Sequence, residues 1–85
     1  LRGVVIMRTL PGSPAAAAGI RGLTETATGD ILLGDIVVGI NEHVVDDYDD
    51  LFNAFDRYNI GDEVTVTLLR ERQRVQVKLR LVDVE

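Results

Sequence analysis

The chain has no cysteine, and it has only one serine, Ser13, and one histidine, His43. Without thiols there is no disulfide, no thiolate metal site and no cysteine nucleophile, and the absence fits any redox compartment. A Ser-His-Asp triad would need both of those single residues to converge. Ser13 stands immediately before Pro14 and reads as a helix cap. His43 falls in a polar turn after a strand, where a surface residue is a simpler reading than a general base. No catalytic residue is assigned, and the chain is not expected to be an enzyme on its own. Excess positive charge is also lacking. The net charge is −5, which disfavours a general attraction to nucleic acid or anionic lipid. No apolar run approaches the roughly 20 residues of a membrane-spanning helix. Leu33-Gly34-Asp35 has neither the spacing nor the lysine of a phosphate-binding loop. The chain opens directly on Leu1-Arg2-Gly3-Val4-Val5-Ile6-Met7, which reads as a strand and not a leader, so a mature fragment or excised domain is expected.

What is present is a single small domain, 1–85. Its 46% hydrophobic and 27% charged residues suit a folded chain and not a disordered one. The charges are segregated. Arg70, Arg72, Arg74, Lys78 and Arg80 gather near the C-terminus, while Asp46, Asp47, Asp49 and Asp50 crowd the middle. The acidic cluster lacks the glycine and ligand spacing of a calcium loop and runs into an apolar helix, so capping and solvation explain it. No metal and no cofactor are expected.

Val4–Leu10 predicts a buried strand ended by Pro11-Gly12. Ser13, Pro14 and Gly19 bracket a helix of little more than one turn, with alanines that permit close packing. Residues 21–30, polar and rich in threonine, predict a loop. Ile36–Ile40 is a strand, Asn41-Glu42-His43 a turn, and Val44-Val45 a short strand or bridge. Asp46 or Asp47 caps a main helix over Tyr48–Tyr58, ended by Asn59-Ile60-Gly61-Asp62. Val64–Leu68 and the alternating Val75, Val77, Leu79 and Leu81 predict two further strands. The turn between them, Glu71-Arg72-Gln73, lacks the glycine that tight hairpins prefer. This order excludes a doubly wound sheet and predicts an antiparallel barrel or sandwich capped by two helices. On the main helix Leu51, Ala54 and Tyr58 can serve the core, leaving Tyr48, Phe52 and Phe55 along an adjoining edge. Periodicity alone leaves open whether that edge is also core or lines a groove beside a sheet, where a peptide could add a strand.

Leu10-Pro11-Gly12-Ser13-Pro14-Ala15-Ala16-Ala17-Ala18-Gly19-Ile20 closely resembles the strand-to-helix segment of PDZ domains in Deg/HtrA serine proteases. Leu33-Gly34-Asp35-Ile36-Val37-Val38-Gly39-Ile40-Asn41 is similar to their glycine-aspartate turn and following strand. Leu51, Phe55 four positions on, and Ile60-Gly61-Asp62 before the strand Val64–Leu69 continue the match over nearly the whole chain. Each piece is moderately specific, and their order and spacing together are strongly so. The long segment 21–30 departs from the shortest bacterial versions and is similar to plant-type and cyanobacterial-type Deg proteins.

The resemblance implies an α+β, mainly β fold. It would be a partly open antiparallel barrel or sandwich of about five strands capped by two helices, in the permuted bacterial and organellar strand order. It implies a peptide-binding module that recognises C-termini or unfolded segments and regulates or feeds a trypsin-like serine protease domain of the parent chain. That parent would be a serine endopeptidase capable of homo-oligomerisation, in the bacterial cell envelope or, alternatively, the plastid lumen. The implied peptide-facing residues are Phe55, for the last side chain of the ligand, and Phe52 and Tyr48, for residues further back. Large aromatics there would select smaller apolar termini. The resemblance also implies that the apolar-Gly-apolar loop that binds a carboxylate in such domains, with the strand after it that pairs with the peptide, precedes the strand corresponding to Val4–Arg8 and is expected to lie outside this chain. Leu1-Arg2-Gly3-Val4 is a poor substitute, since Arg2 separates Leu1 from Gly3. Two alternatives stand beside this. The edge of Val4–Arg8 could serve oligomer contacts. The domain could also belong to a carboxyl-terminal processing or site-two protease.

Overall fold

The structure is a computed structural model and describes residues 2–81. Its elements are β1 (Val4–Val5), α1 (Pro14–Ala17), β2 (Thr24–Glu25), β3 (Ile31–Leu32), β4 (Ile36–Ile40), β5 (His43–Val44), α2 (Tyr48–Phe55), β6 (Glu63–Arg70) and β7 (Gln73–Arg80). The core is organised by the alternation of β6. Val64, Val66 and Leu68 are buried on one face, opposite Leu79, Val77 and Val75 of β7. On the other side β6 pairs with β4, where a bulge between Val37 and Gly39 breaks the register. Without it, Val37 and Ile40, three apart, would point to opposite faces; the bulge restores both to the core, against Leu68 and Val66. The main sheet runs β1-β4-β6-β7, with β5 also on β4, and all its pairs are antiparallel. It is not closed into a barrel. The expected α+β, mainly β architecture with two helices is what forms.

Both helices start as their sequences require. The Ser13 hydroxyl accepts from the Ala16 amide at 3.2 Å. α1 ends with Gly19 at φ 84, its N–H on the Ala16 carbonyl and that of Ile20 on Ala15, a closure that needs a left-handed residue at Gly19. Asp47 caps α2 by accepting from the Asp50 amide at 2.9 Å, and the Asp50 carboxylate accepts in turn from the Asp46 amide at 3.0 Å. Ala54 is buried, with Leu51, Phe55 and Tyr58 half-buried against the same core. The helix is regular only to Phe55. Arg57 and Tyr58 continue it in tighter turns, donating to Ala54 and Phe55, so the expected end at Tyr58 is three residues too far.

Two further expectations are corrected. The strand expected over Val4–Leu10 pairs only at Val4–Val5, after which Ile6 makes one more bond to Asp35 and the chain leaves the ladder. The expected loop 21–30 is half of a second, two-stranded sheet: β2 pairs with β3, joining Thr24 to Leu32 and Glu25 to Ile31. Its tip is closed by Thr26, which donates to the Asp30 carbonyl and accepts from the Gly29 amide. This is the pattern of a three-residue hairpin loop. At its base, Gly22 lies so close to Arg8 that an added Cβ would stand 2.6 Å from the Arg8 Cα.

Candidate functional site

The stretch Ile6–Leu10 and α2 face each other across an apolar cavity of about 300 Å³. Ile6 and Leu10 line one side, Leu51 and Phe55 the other, with Ile20, Val37, Val66 and Leu79 among the floor residues. The geometry follows from the sheet order. β1 is the terminal strand, with β4 on one side and no strand on the other among the described residues. Leaving the ladder after Ile6, the chain runs past an unfilled space beside the helix. Arg8 is the one charged side chain in the lining.

The three aromatics singled out from the sequence part company here. Phe55 lines the cavity. Tyr48 and Phe52, 61% and 58% exposed, stack on each other with ring centroids 5.0 Å apart and lie outside that lining. Leu51, assigned to the core by periodicity, lines the cavity as well. The signal that pointed to it was the Leu51–Phe55 spacing of four, which puts both on one stripe. Of the loop Leu1-Arg2-Gly3-Val4, Leu1 lies outside the described residues. The Gly3 amide already donates to the Asp46 carbonyl at 2.9 Å and is not presented to a ligand.

Ser13 and His43 line separate depressions. Ser13 is at the apolar cavity, whereas His43 stands beside Glu42, Asp50, Asn53 and Arg57, with its ring edge-on to Tyr58 at 6.1 Å. Among the described residues no cluster of three His, Asp or Glu side chains is placed to hold a metal ion. No helix of the described residues is long and apolar enough to cross a membrane.

A buried ion pair stands outside the cavity lining. Asp35 is fully buried, and Arg70 grips it with two hydrogen bonds, Nε to Oδ1 at 2.8 Å and Nη2 to Oδ2 at 2.7 Å. The Arg21 amide adds a third at 2.9 Å, and Arg70 also donates to the Gly19 carbonyl at 2.9 Å. The Arg70 guanidinium holds the Asp35 carboxyl below its usual range, outweighing the opposite push of burial, with the Arg21 amide assisting. One ion pair thereby ties β6, the end of α1 and the base of the β2–β3 hairpin to the strand that frames the cavity.

The profile of the PDZ domain family matches residues 2–81. The chain is 33% identical to the chloroplastic protease Do-like 1 of Arabidopsis thaliana over 79 residues, 93% of this chain and 18% of that protein. It is 29% identical to the chloroplastic protease Do-like 8 of the same plant, over the same shares. The chain is a PDZ domain of the Deg/HtrA family. It spans about a fifth of the length of these relatives. A PDZ domain is a protein-binding module, and the cavity has an apolar helix stripe, Leu51 and Phe55, on one wall and the extended stretch Ile6–Leu10, which has left the β1–β4 ladder, on the other.

Proposed function

We propose that this PDZ domain binds exposed apolar C-termini or unfolded segments in the space between Ile6–Leu10 and α2. In doing so it would supply or regulate a trypsin-like serine protease domain of a longer parent chain. The observation that carries the reading is the cavity of about 300 Å³, apolar on nearly every side and walled by α2 and the stretch Ile6–Leu10. Phe55 and Leu51 receive the last apolar side chain of the ligand. The stacked Tyr48 and Phe52 contact residues further back. Arg8, the one cation in the lining, suits a terminal carboxylate. The printed names of the relatives support a Do-like protease as parent, and their chloroplastic location favours the plastid over the bacterial envelope.

Titration of the ¹⁵N-labelled chain with a six-residue peptide ending in a free Val tests this. The expected result is amide shifts centred on Ile6, Leu10, Leu51 and Phe55. Phe55→Ala should weaken binding about tenfold, as truncation of an interface anchor does, and more than Tyr48→Ala. If apolar peptides leave these amides unmoved, the reading is wrong.

A further inference from the structure

A second edge of the same sheet carries a feature that the groove does not use. β7 is the last strand in the order β1-β4-β6-β7, so its outer edge is unpaired among the described residues. The direction of its hydrogen bonds is given by Leu81, which donates to the Asp62 carbonyl at 2.9 Å and accepts from the Gly61 amide at 2.8 Å. In an antiparallel ladder, alternate residues turn their backbone groups to alternate edges. Gln73, Val75, Val77 and Leu79 therefore share the direction of Leu81, toward β6. Arg74, Gln76, Lys78 and Arg80 turn their N–H and C=O groups outward, to the unpaired edge. The side chains of these same four residues are exposed, and three of them are cationic. Among the described residues, no carboxylate lies within salt-bridge distance of Arg72, Arg74, Lys78 or Arg80, in a chain whose net charge is −5. Glu63, opposite Arg80, and Glu71 in the turn are the acidic groups nearest in the register.

We infer that the β7 edge takes up an extended acidic segment of a partner protein as an added antiparallel strand, with carboxylates at alternate positions facing Arg74, Lys78 and Arg80. The charges select this occupant over a second copy of the chain. Two β7 strands paired antiparallel about Val77 would set Arg74 against Arg80, and like charges directly opposite are destabilising. The alternate residues of the incoming strand would lie beside Val75, Val77 and Leu79, which are only half-buried, so small apolar residues fit between the acids. From Arg74 to Arg80 the edge is about 20 Å long, which a segment of roughly seven residues covers. This site is distinct from the groove and needs no ligand terminus.

The test is a titration of the ¹⁵N-labelled chain with a seven-residue peptide alternating Asp or Glu with Val, blocked at both ends. The blocked C-terminus and the alternating acids set this peptide apart from the apolar ligands of the groove, whose lining is nearly all apolar, and the amides that shift tell the two sites apart. Shifts and slowed hydrogen exchange are expected at the amides of Arg74, Gln76, Lys78 and Arg80, with Leu51 and Phe55 unmoved. Replacing the acids of the peptide by Lys should abolish binding. In the chain, Lys78→Glu should weaken it about fivefold, by turning a cross-strand attraction into repulsion. Gln76→Pro removes an outward amide and no ladder bond, and should weaken binding about tenfold; Lys78→Glu keeps the test open should the proline variant not fold. Absence of shifts at the β7 amides, or shifts at the groove instead, overturns the inference. So does sedimentation as a dimer with those four amides protected in the absence of peptide, since the occupant would then be a second copy.

Discussion

Asp35 shows how one buried residue can set the geometry of a site that it does not touch. Its carboxylate is enclosed by the Arg70 guanidinium and the Arg21 amide, so nothing in its place can be neutral without leaving donors unmet. Arg70 is partly exposed and keeps its bond to the Gly19 carbonyl, so the loss falls on the charge-assisted hydrogen bonds to the buried carboxylate, and Asp35→Asn is expected to cost roughly 1.5–3 kcal/mol. The pH dependence has a definite sign. The folded pKa of Asp35 lies below its ordinary value of 3.8, so its contribution is fully present above that value and is lost as the pH falls through the folded pKa. In thermal unfolding, the gap between the native chain and Asp35→Asn should stay constant from about pH 5 to 8 and close only below about pH 4. A gap that closed near neutrality would assign the stability to another group. The sequence carried the Gly34-Asp35 pair as a turn, but its partner stands 35 positions away, and no local pattern couples Asp35 to Arg70.

At the scale of elements, what was legible was what local rules decide. The Ser13 and Asp47 caps, the Gly19 closure of α1 and the alternation of β6 and β7 all follow from residue types within a few positions of one another. The β2–β3 hairpin was not legible, because both its strands are exposed and Thr24–Glu25 has no apolar alternation to announce it. The strand expected to reach Leu10 stops at Val5 because pairing is decided by what lies alongside: past Asp35, β4 has no partner to offer. The β6–β7 turn is a third case. Its central residues, Glu71 at φ 50 and Arg72 at φ 68, occupy the left-handed region without being glycine. The twist of the two long strands imposes this turn against residue preference. The left-handed conformation costs about 1–2 kcal/mol for an ordinary residue, so Glu71→Asn combined with Arg72→Gly is expected to recover roughly 1–2 kcal/mol. For a domain of this size that should raise the Tm by about 4–8 °C or more, and calorimetry reads it directly. An unchanged or lowered Tm would mean that the Glu71 and Arg72 side chains make interactions that outweigh their backbone strain.

For the whole molecule, the candidate groove depends on how the helix is rolled against the sheet, which periodicity cannot specify. Tyr48, Phe52 and Phe55 share an edge of the helical wheel, yet only Phe55 reaches the cavity, because the buried Ala54 lets the Leu51–Phe55 stripe settle toward Val37 and Ile40. The two sheets are also unequally packed. β4 and β6 lie in the middle of the main sheet, with Ile40 and Leu68 wholly buried. The β2–β3 hairpin has exposed residues in both strands and is held at its base by Leu23 on the Met7 carbonyl, Asp35 on the Arg21 carbonyl and Arg21 on the Asp35 carboxylate. Elements with little buried apolar surface open locally at a fraction of the global free energy. Hairpin amides such as Thr26 should therefore exchange with solvent at least about a hundredfold faster than those of Val66 and Leu68. The contrast bears on the groove, because the Met7 carbonyl that anchors the hairpin belongs to the same stretch, Ile6–Leu10, that walls the cavity. A hairpin that opens alone would free that wall to adjust to a ligand while the sheet stays intact. Equal exchange rates at Thr26 and Leu68 would show the opposite: the Asp35–Arg70 pair would then fasten the hairpin into the core, and the wall would meet its ligand rigid.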